Sequence, residues 1–257
     1  LDDTPDLLSS RLHLQISVDG LHETHDRIRG KGMFKNLSRE LDKLREKAAE
    51  CTLSMCVQKR NTHEMAQLVD FAAEKGISNI HFMWHFVRGR GDNEAVADNH
   101  EIYRNLFRAA ERAQVLDVEI DNMAALKSLV FSPPGTVHDG TTAGWESVAV
   151  GPDGLLYPTA ALVGIPELAT SVQDGLLASF INSPVLGEIR RTTALTEASP
   201  LRFFTGGGDI DHSYIHGGSF VGKDPYQGLY EKLLLRLIAD AANIRPDPGI
   251  PGLRLKM

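Results

Sequence analysis

Polar and charged residues follow the first strand-like stretch of the chain in a pattern suited to holding a small polar ligand. The stretch ends near Ser17, an Asp19-Gly20 turn follows, and Arg29 lies in a basic segment punctuated by glycines. A serine at the end of a strand, an Asp-Gly turn and an arginine loop could together hold a ribose hydroxyl and a carboxylate. Taken alone the pattern is weak, because polar loops with arginines are usually solvated surface.

A second group of possible ligands lies in DIDHSYIH at 209–216. Asp209, Asp211, His212 and His216 are hard or borderline ligands suited to zinc or iron. The two histidines would share a face in a helix, but the flanking glycines predict a loop. A polar loop without metal is the simpler interpretation. The glycines at 206–208 lack the context of a phosphate-binding loop and predict a close-approach turn.

The first half of the chain alternates strand-like and helix-like segments that would position the Ser17 region. Strands are predicted at 11–18, 51–59 and 79–87, a loop at 19–32, and helices at 33–50, 63–75 and 100–114. Asn61 or Thr62 could cap the second helix and Asn99 the third. Three successive strand–helix units imply parallel strands with right-handed crossovers. Ser17, Asn61 and the loop at 88–92 are therefore expected together at the carboxyl ends of the strands.

The pattern changes after residue 116, where apolar periodicity weakens and prolines and glycines accumulate. The sequence predicts a hairpin from 145–150 and 155–157, a glycine-rich loop at 206–222 and a last helix with Leu229, Leu233, Leu234 and Ile238 on its apolar face. The tail from 245 is predicted to be extended. We therefore predict two domains, 1–116 and 117–257.

Composition excludes several classes of protein. The 257 residues carry a formal net charge of −7, which argues against a general nucleic-acid binder. No uninterrupted apolar run is long enough for a transmembrane helix, and no leader opens the chain, so a cytoplasmic protein is expected. Its two cysteines, Cys51 and Cys56, lie five residues apart on one predicted strand and should point to opposite faces.

Two sequence motifs, in the order in which the family has them, resemble the radical SAM/SPASM peptide (RiPP) maturase family. The first is SVDG at 17–20 with HDRIRGKGMF at 25–34. The second has the spacing of the cysteines that hold auxiliary iron–sulfur clusters in a SPASM domain, but every ligand position is substituted. Those positions hold Thr141, Thr159, Thr196, Ser199, Thr205, Asp209 and Gln227. Clusters are held by thiolates, so this resemblance comes without the residues that bind the metal.

The resemblance implies an α/β fold: the C-terminal half of a partial (β/α)6 TIM-like barrel, followed by a small α+β SPASM-like domain. It further implies that S-adenosylmethionine is bound by Ser17, Asp19, Arg29 and Asn61. Ser17 matches a residue that contacts the ribose, and Arg29 one that can meet the methionine carboxylate. The C-x3-C-x2-C loop that holds the family's reactive [4Fe–4S] cluster is not in this sequence.

Two functions follow from the resemblance. In the first, the chain is the C-terminal portion of a peptide-modifying enzyme whose complete relatives abstract hydrogen with a 5′-deoxyadenosyl radical. In the second, it is an inactive, cluster-free pseudoenzyme that binds a peptide or a partner maturase. S-adenosylmethionine and a [4Fe–4S] cluster are the cofactors that the resemblance implies, and neither is expected to be found bound to this chain alone. The second function differs from the first in that the chain would have no affinity of its own for S-adenosylmethionine. A hydrolase-like metal enzyme at DIDHSYIH ranks last.

Overall fold

A computed structural model describes residues 13–47, 50–89, 91–131, 142–192 and 199–242. By its internal contacts the chain divides into two compact units, Leu1–Ser128 and Leu129–Met257. This division lies somewhat after the boundary expected at 116, and it assigns one further strand to the first unit. Within the described residues, every helix is too short or too polar to cross a membrane.

The first unit is built on a parallel sheet. Its strands are β1 (Leu14–Ser17), β2 (Cys51–Val57), β3 (Asn79–Trp84) and β4 (Glu119–Ile120), in that order across the sheet. Every neighbouring pair is parallel, as predicted for the first three strands. The fourth strand was not predicted, because two residues are too few to show a period.

Among the described residues, the first half of the chain forms five α-helices. They are α1 (His22–Arg29), α2 (Met33–Glu46), α3 (Met65–Glu74), α4 (Asn99–Leu116) and α5 (Asp121–Phe131). Helix α1 corrects the predicted loop at 19–32. Its first turn is held from outside, since Glu64 accepts hydrogen bonds from the Leu21 amide at 2.7 Å and the Thr24 hydroxyl at 2.6 Å. The cap of α4 is Asp98 rather than Asn99, because its carboxylate accepts from the amides of His100 and Glu101.

The two faces of the sheet differ in chemistry. One face carries apolar side chains that are almost fully buried and form the core with the inner faces of α2, α3 and α4: Leu53, Met55, Val57, Ile80, Phe82 and Trp84. The opposite face carries Ser17, Ser54 and His81, which are register partners across β1, β2 and β3. Parallel sheets in α/β proteins are usually apolar on both faces. The polar face is therefore the one available to a ligand.

In the described part of the second unit there are a short hairpin and five α-helices. Its elements are β5 (Ala149–Val150), β6 (Leu156–Tyr157), α6 (Leu176–Asn182), α7 (Pro184–Arg191), α8 (Arg202–Thr205), α9 (Ile210–Gly217) and α10 (Gln227–Ala241). The predicted hairpin is present, although its strands are shorter. Tyr157 and Phe220 share one buried cluster with Leu162, and Tyr214 packs against it.

Helix α9 corrects the predicted loop at 206–222. The Asp209 carboxylate caps it by accepting from the amides of Asp211 and His212, both at 2.9 Å. The flanking glycines delimit this helix rather than prevent it. The final helix is present, with Leu229, Leu233 and Leu234 buried, whereas Ile238 is partly exposed. The tail from 245 lies outside the described residues.

Candidate functional site

The carboxyl ends of β1 and β2 are joined by a buried aspartate. The Asp19 carboxylate accepts a hydrogen bond from Arg29 Nε at 2.5 Å and another from the Cys56 amide at 3.0 Å. The Asp19 side chain is 4% exposed and that of Arg29 43%. A buried carboxylate thus fixes one edge of the guanidinium, while the rest of the Arg29 side chain reaches the surface.

Asn61 holds the same two strand ends from inside. Its Nδ2 donates to the carbonyls of Asp19 at 3.2 Å and Cys56 at 2.9 Å, and its Oδ1 accepts from the Gln58 amide at 2.6 Å. It is fully buried. Its side chain does not cap the helical turn after it, contrary to one prediction. The geometry gives Asn61 the role of a positioning residue for Asp19.

Gly20 lets the chain turn tightly against Glu64. Its φ is +125°, and a Cβ there would lie 2.5 Å from Glu64 Oε2. Only glycine tolerates both the backbone angle and this approach. The Glu64 carboxylate, which no sequence motif singles out, therefore holds the start of α1 against the end of β1.

The two histidines of α1, His22 and His25, contact neighbouring parts of the first unit. His25 Nδ1 accepts a hydrogen bond from the Asp19 amide at 3.2 Å, which requires that nitrogen to be unprotonated. Burial lowers the pKa of His25, so the neutral form is favoured. His22 lies against Phe34, with 4.6 Å between ring centroids. His25 is therefore bound to the protein backbone rather than placed as a free acid–base group.

The polar face of the sheet carries two further side-chain pairs. His81 Nδ1 lies 2.8 Å from Asp121 Oδ1, at the start of α5. Cys56 Sγ lies 3.9 Å from His85 Nδ1. Burial raises the pKa of the Cys56 thiol, which keeps it protonated and uncharged. Cys51 and Cys56 are both free.

Five of the seven positions where the resemblance places cluster ligands are described, and several of them make hydrogen bonds. Thr159 Oγ1 donates to Asp211 Oδ1 at 2.5 Å. The Asp209 amide donates to Asp224 Oδ2 at 2.8 Å, and the Gln227 amide to the Asp224 carbonyl at 3.2 Å. Asp211 and Asp224, which are not at those positions, thus connect residues that are. Asp211 accepts from Thr159 through its carboxylate and donates to the Asp209 carboxylate through its amide, and Asp224 accepts through its carboxylate and its carbonyl.

The other substituted positions make local contacts. Ser199 Oγ accepts from the Leu201 amide at 3.1 Å, and Thr205 is buried beside the carbonyl of Leu201. Thr141 and Thr196 lie outside the described residues.

The ionisation of Asp211 and Asp224 is shifted in the same direction. Burial raises the pKa of each to about 6, and the nearby charge of Asp209 adds to the effect. Gly208 makes room for Asp224, since a Cβ at this residue would lie 2.5 Å from Asp224 Cβ. The predicted close-approach turn is therefore present at Gly208.

The metal-site interpretation of DIDHSYIH is not supported by the arrangement of its side chains. Asp209 caps α9, Asp211 binds Thr159, and buried His212 lies 4.8 Å from the Tyr226 ring. Among the described residues, no three histidine, cysteine, aspartate or glutamate side chains come close enough to share a metal ion.

Comparison with known proteins identifies one sequence relative. Over 129 residues the chain is 28% identical to the sporulation killing factor maturation protein SkfB of Bacillus subtilis (strain 168). The match covers 49% of this chain and 27% of SkfB. No protein-family model matches the chain.

Solved structures share the fold over most of the chain. The structure of anSMEcpe with bound AdoMet and Kp18Cys peptide has a TM-score of 0.72 at 16% identity, covering 93% of this chain and 72% of that one. SuiB of Streptococcus suis, bound to precursor peptide SuiA, has a TM-score of 0.60 at 13% identity, covering 86% and 54%. These identities establish likeness of fold. The match to SkfB, a maturation protein, supports the resemblance of the motifs to the radical SAM/SPASM peptide-maturase family.

Proposed function

We propose that this chain is the C-terminal portion of a radical SAM/SPASM-type peptide-modifying enzyme and supplies part of its S-adenosylmethionine site. The observation that carries the proposal is the Asp19–Arg29 pair at the carboxyl end of β1, beside exposed Ser17 on the polar face of the sheet. In such sheets ligands bind at the carboxyl ends of the strands. The partial barrel and the SPASM-like second unit are part of this proposal.

The donor set fits S-adenosylmethionine. Arg29 Nε is committed to Asp19, which leaves both Nη groups without a partner among the described residues and able to pair with a carboxylate. Ser17 presents a hydroxyl that can bond to a ribose. Asp19 and Asn61 act indirectly, because both are buried and bonded to protein groups. When S-adenosylmethionine is bound, these residues would hold and orient it, whereas the radical chemistry that it supplies in complete relatives also needs an electron from a cluster.

The sequence does not fit a [4Fe–4S] cluster. Four thiolates are the usual ligands, and the chain has two cysteines on opposite faces of β2. The substituted positions offer neutral hydroxyl and amide groups and one carboxylate, which suit a soft metal cluster poorly. No step of the function proposed for this chain involves a cluster.

The replaced cluster positions favour a second candidate function. Hydrogen bonds through Asp211 and Asp224 give the second unit a cluster-free means of holding its loops. We therefore also consider a pseudoenzyme that binds a peptide or a partner maturase without S-adenosylmethionine. The solved structures with bound peptides support a peptide ligand in either case.

Calorimetric titration of S-adenosylmethionine into the full chain tests the two functions. The first predicts saturable binding that R29M weakens at least tenfold. Arg27 lies on the same helix, is exposed and has no part in the Asp19 network, so R27M is the matched control and should bind like the unmodified chain. Binding that R27M and R29M weaken equally would indicate a general charge effect. No binding by the correctly folded chain would favour the pseudoenzyme.

A further inference from the structure

A row of three polar residues crosses the polar face of the sheet. Ser17, Ser54 and His81 are register partners on adjacent parallel strands, so their side chains stand next to one another on the same face. Neighbouring strands lie about 4.8 Å apart, which places Ser54 and His81 within reach of a single small group.

The Ser54 hydroxyl lacks a partner. The residue is 4% exposed, and Ser54 Oγ is a buried atom with no hydrogen bond among the described residues. Buried polar atoms in native proteins are nearly always satisfied, and an exception needs an explanation. A hydroxyl on a face otherwise suited to ligands is explained if a ligand atom completes its hydrogen bond.

His81 is oriented by a carboxylate. Its Nδ1 lies 2.8 Å from Asp121 Oδ1, and an ionised carboxylate can only accept, so neutral His81 carries its proton on Nδ1. Nε2, on the far edge of the ring, is then a hydrogen-bond acceptor. Both side chains are about one-third exposed, 33% for His81 and 38% for Asp121, so Nε2 can be approached from outside.

The position of Asp121 is itself fixed. Strand β4 ends at Ile120, and the side chain of Asn122 continues its pairing with β3. Asn122 Oδ1 accepts from the Phe82 amide at 2.7 Å, and its Nδ2 donates to the Phe82 carbonyl at 2.8 Å. These two bonds anchor the first turn of α5 beside β3, which holds Asp121 against His81.

We propose that Ser54 and His81, with His81 held by Asp121, form a subsite that binds one residue of the peptide substrate through its backbone N–H and carbonyl. In an extended peptide the N–H and the carbonyl of the same residue point to one side, although those of a single trans amide point in opposite directions. His81 Nε2 accepts from that N–H, and the Ser54 hydroxyl donates to that carbonyl oxygen. The inference rests on the proposed function for the identity of the ligand as a peptide, and it assigns that peptide to the centre of the polar face.

The test uses N-acetylglycine N-methylamide, a minimal blocked peptide, titrated into the full 15N-labelled chain. Saturable shifts are expected at the Ser54 amide and at the His81 ring nitrogens, with a protonated Nδ1 and an unprotonated Nε2 before the addition. S54A and D121N should each weaken the shifts at least fivefold. S54T, which keeps the hydroxyl, should restore them.

E119Q is the matched control, because Glu119 is bonded to Asn79 on the same part of the sheet and is not in the subsite. It should leave the shifts unchanged. An absence of saturable shifts, or equal shifts in S54A and the unmodified chain, would overturn the proposal. If D121N changes the His81 tautomer without changing the binding of the probe, His81 and Asp121 are only a surface ion pair. That result would also overturn the proposal.

S-adenosylmethionine titrated into the same samples separates this inference from the proposed function. Its shifts should centre on Ser17 and Arg29 and be lost in R29M, whereas the amide probe should be unaffected by R29M. If the amide probe binds and S-adenosylmethionine does not, the proposed function is refuted and the subsite is retained.

Discussion

Thr159 donates a hydrogen bond to the carboxylate of Asp211, 52 residues later in the chain, at 2.5 Å. Thr159 occupies a position where the family resemblance places a cluster ligand. The bond therefore joins two distant segments of the second unit at a place where a cluster would have joined them.

The first prediction concerns the pH dependence that Asp211 imposes on stability. Its pKa is raised from 3.8 to about 6 in the folded state, so the fold favours the protonated carboxyl. Well below pH 4 the Asp211 carboxyl is protonated in both the folded and the unfolded state, so a change of pH there does not alter its contribution to the free energy of unfolding. As pH rises from about 4 to about 6, the unfolded state ionises first and the free energy of unfolding falls, by about 2 to 3 kcal/mol at most.

Substitutions at this pair should change that dependence in opposite directions. The asparagine of D211N cannot ionise, so this variant should not lose free energy of unfolding as pH rises. It should be more stable than the unmodified chain at pH 8 but not at pH 4. T159V removes the bond that favours the carboxylate and should enlarge the loss. Urea unfolding from pH 4 to 8 measures both effects, and parallel curves for D211N and the unmodified chain would contradict the assignment.

The second prediction concerns the close approach of Gly20 and Glu64. G20A would combine an unfavourable backbone angle with overlap against Glu64 Oε2, so a loss of about 2 to 4 kcal/mol is expected. G32A is the matched control, since Gly32 also has a positive φ, +81°, but no atom within 4 Å of an added Cβ. G32A should lower the free energy of unfolding by about 1 kcal/mol. Denaturant unfolding that ranks G32A as the worse variant would refute the prediction.

The third prediction concerns Asn61. N61A would leave the carbonyls of Asp19 and Cys56 and the amide of Gln58 without their partner. Each unsatisfied buried group costs about 1 to 3 kcal/mol, and with partial relaxation a total of about 2 to 4 kcal/mol is expected. Exposed Asn36 on α2 provides the control, and N36A should change the free energy of unfolding by less than about 0.5 kcal/mol. Equal losses in the two variants would contradict the role of Asn61.

The sequence was sufficient to predict the alternating strands and helices of the first unit. Strand β2 places Leu53, Met55 and Val57 at alternate positions, and α2 places Phe34, Leu41 and Leu44 at helical spacing. Helices α1 and α9 were missed because their polar, glycine-flanked sequences contain no such period. They are held instead by particular contacts, from Glu64 to the start of α1 and from Asp209 to the start of α9.

The candidate site likewise combines residues that a local motif can indicate with residues that only the fold brings together. Ser17, Asp19 and Arg29 are close in sequence, so a local motif could single them out as candidates, as the resemblance did. Ser54, His81 and Asp121 come together only through the register of three strands, which no local pattern specifies. Single polar residues in buried strands carry no signal of their neighbours across the sheet.

The last prediction concerns iron. Anaerobic reconstitution of this chain with iron and sulfide should give no stoichiometric [4Fe–4S] cluster. Cluster assembly requires about four thiolates, whereas Cys51 and Cys56 are the two cysteines of the chain and burial raises the pKa of both, which opposes thiolate formation. The double variant C51S/C56S is the control: iron that it retains to the same extent is adventitious. Four irons and four sulfides per chain, lost in C51S/C56S, would show that this sequence holds a cluster by means that its substituted positions do not suggest.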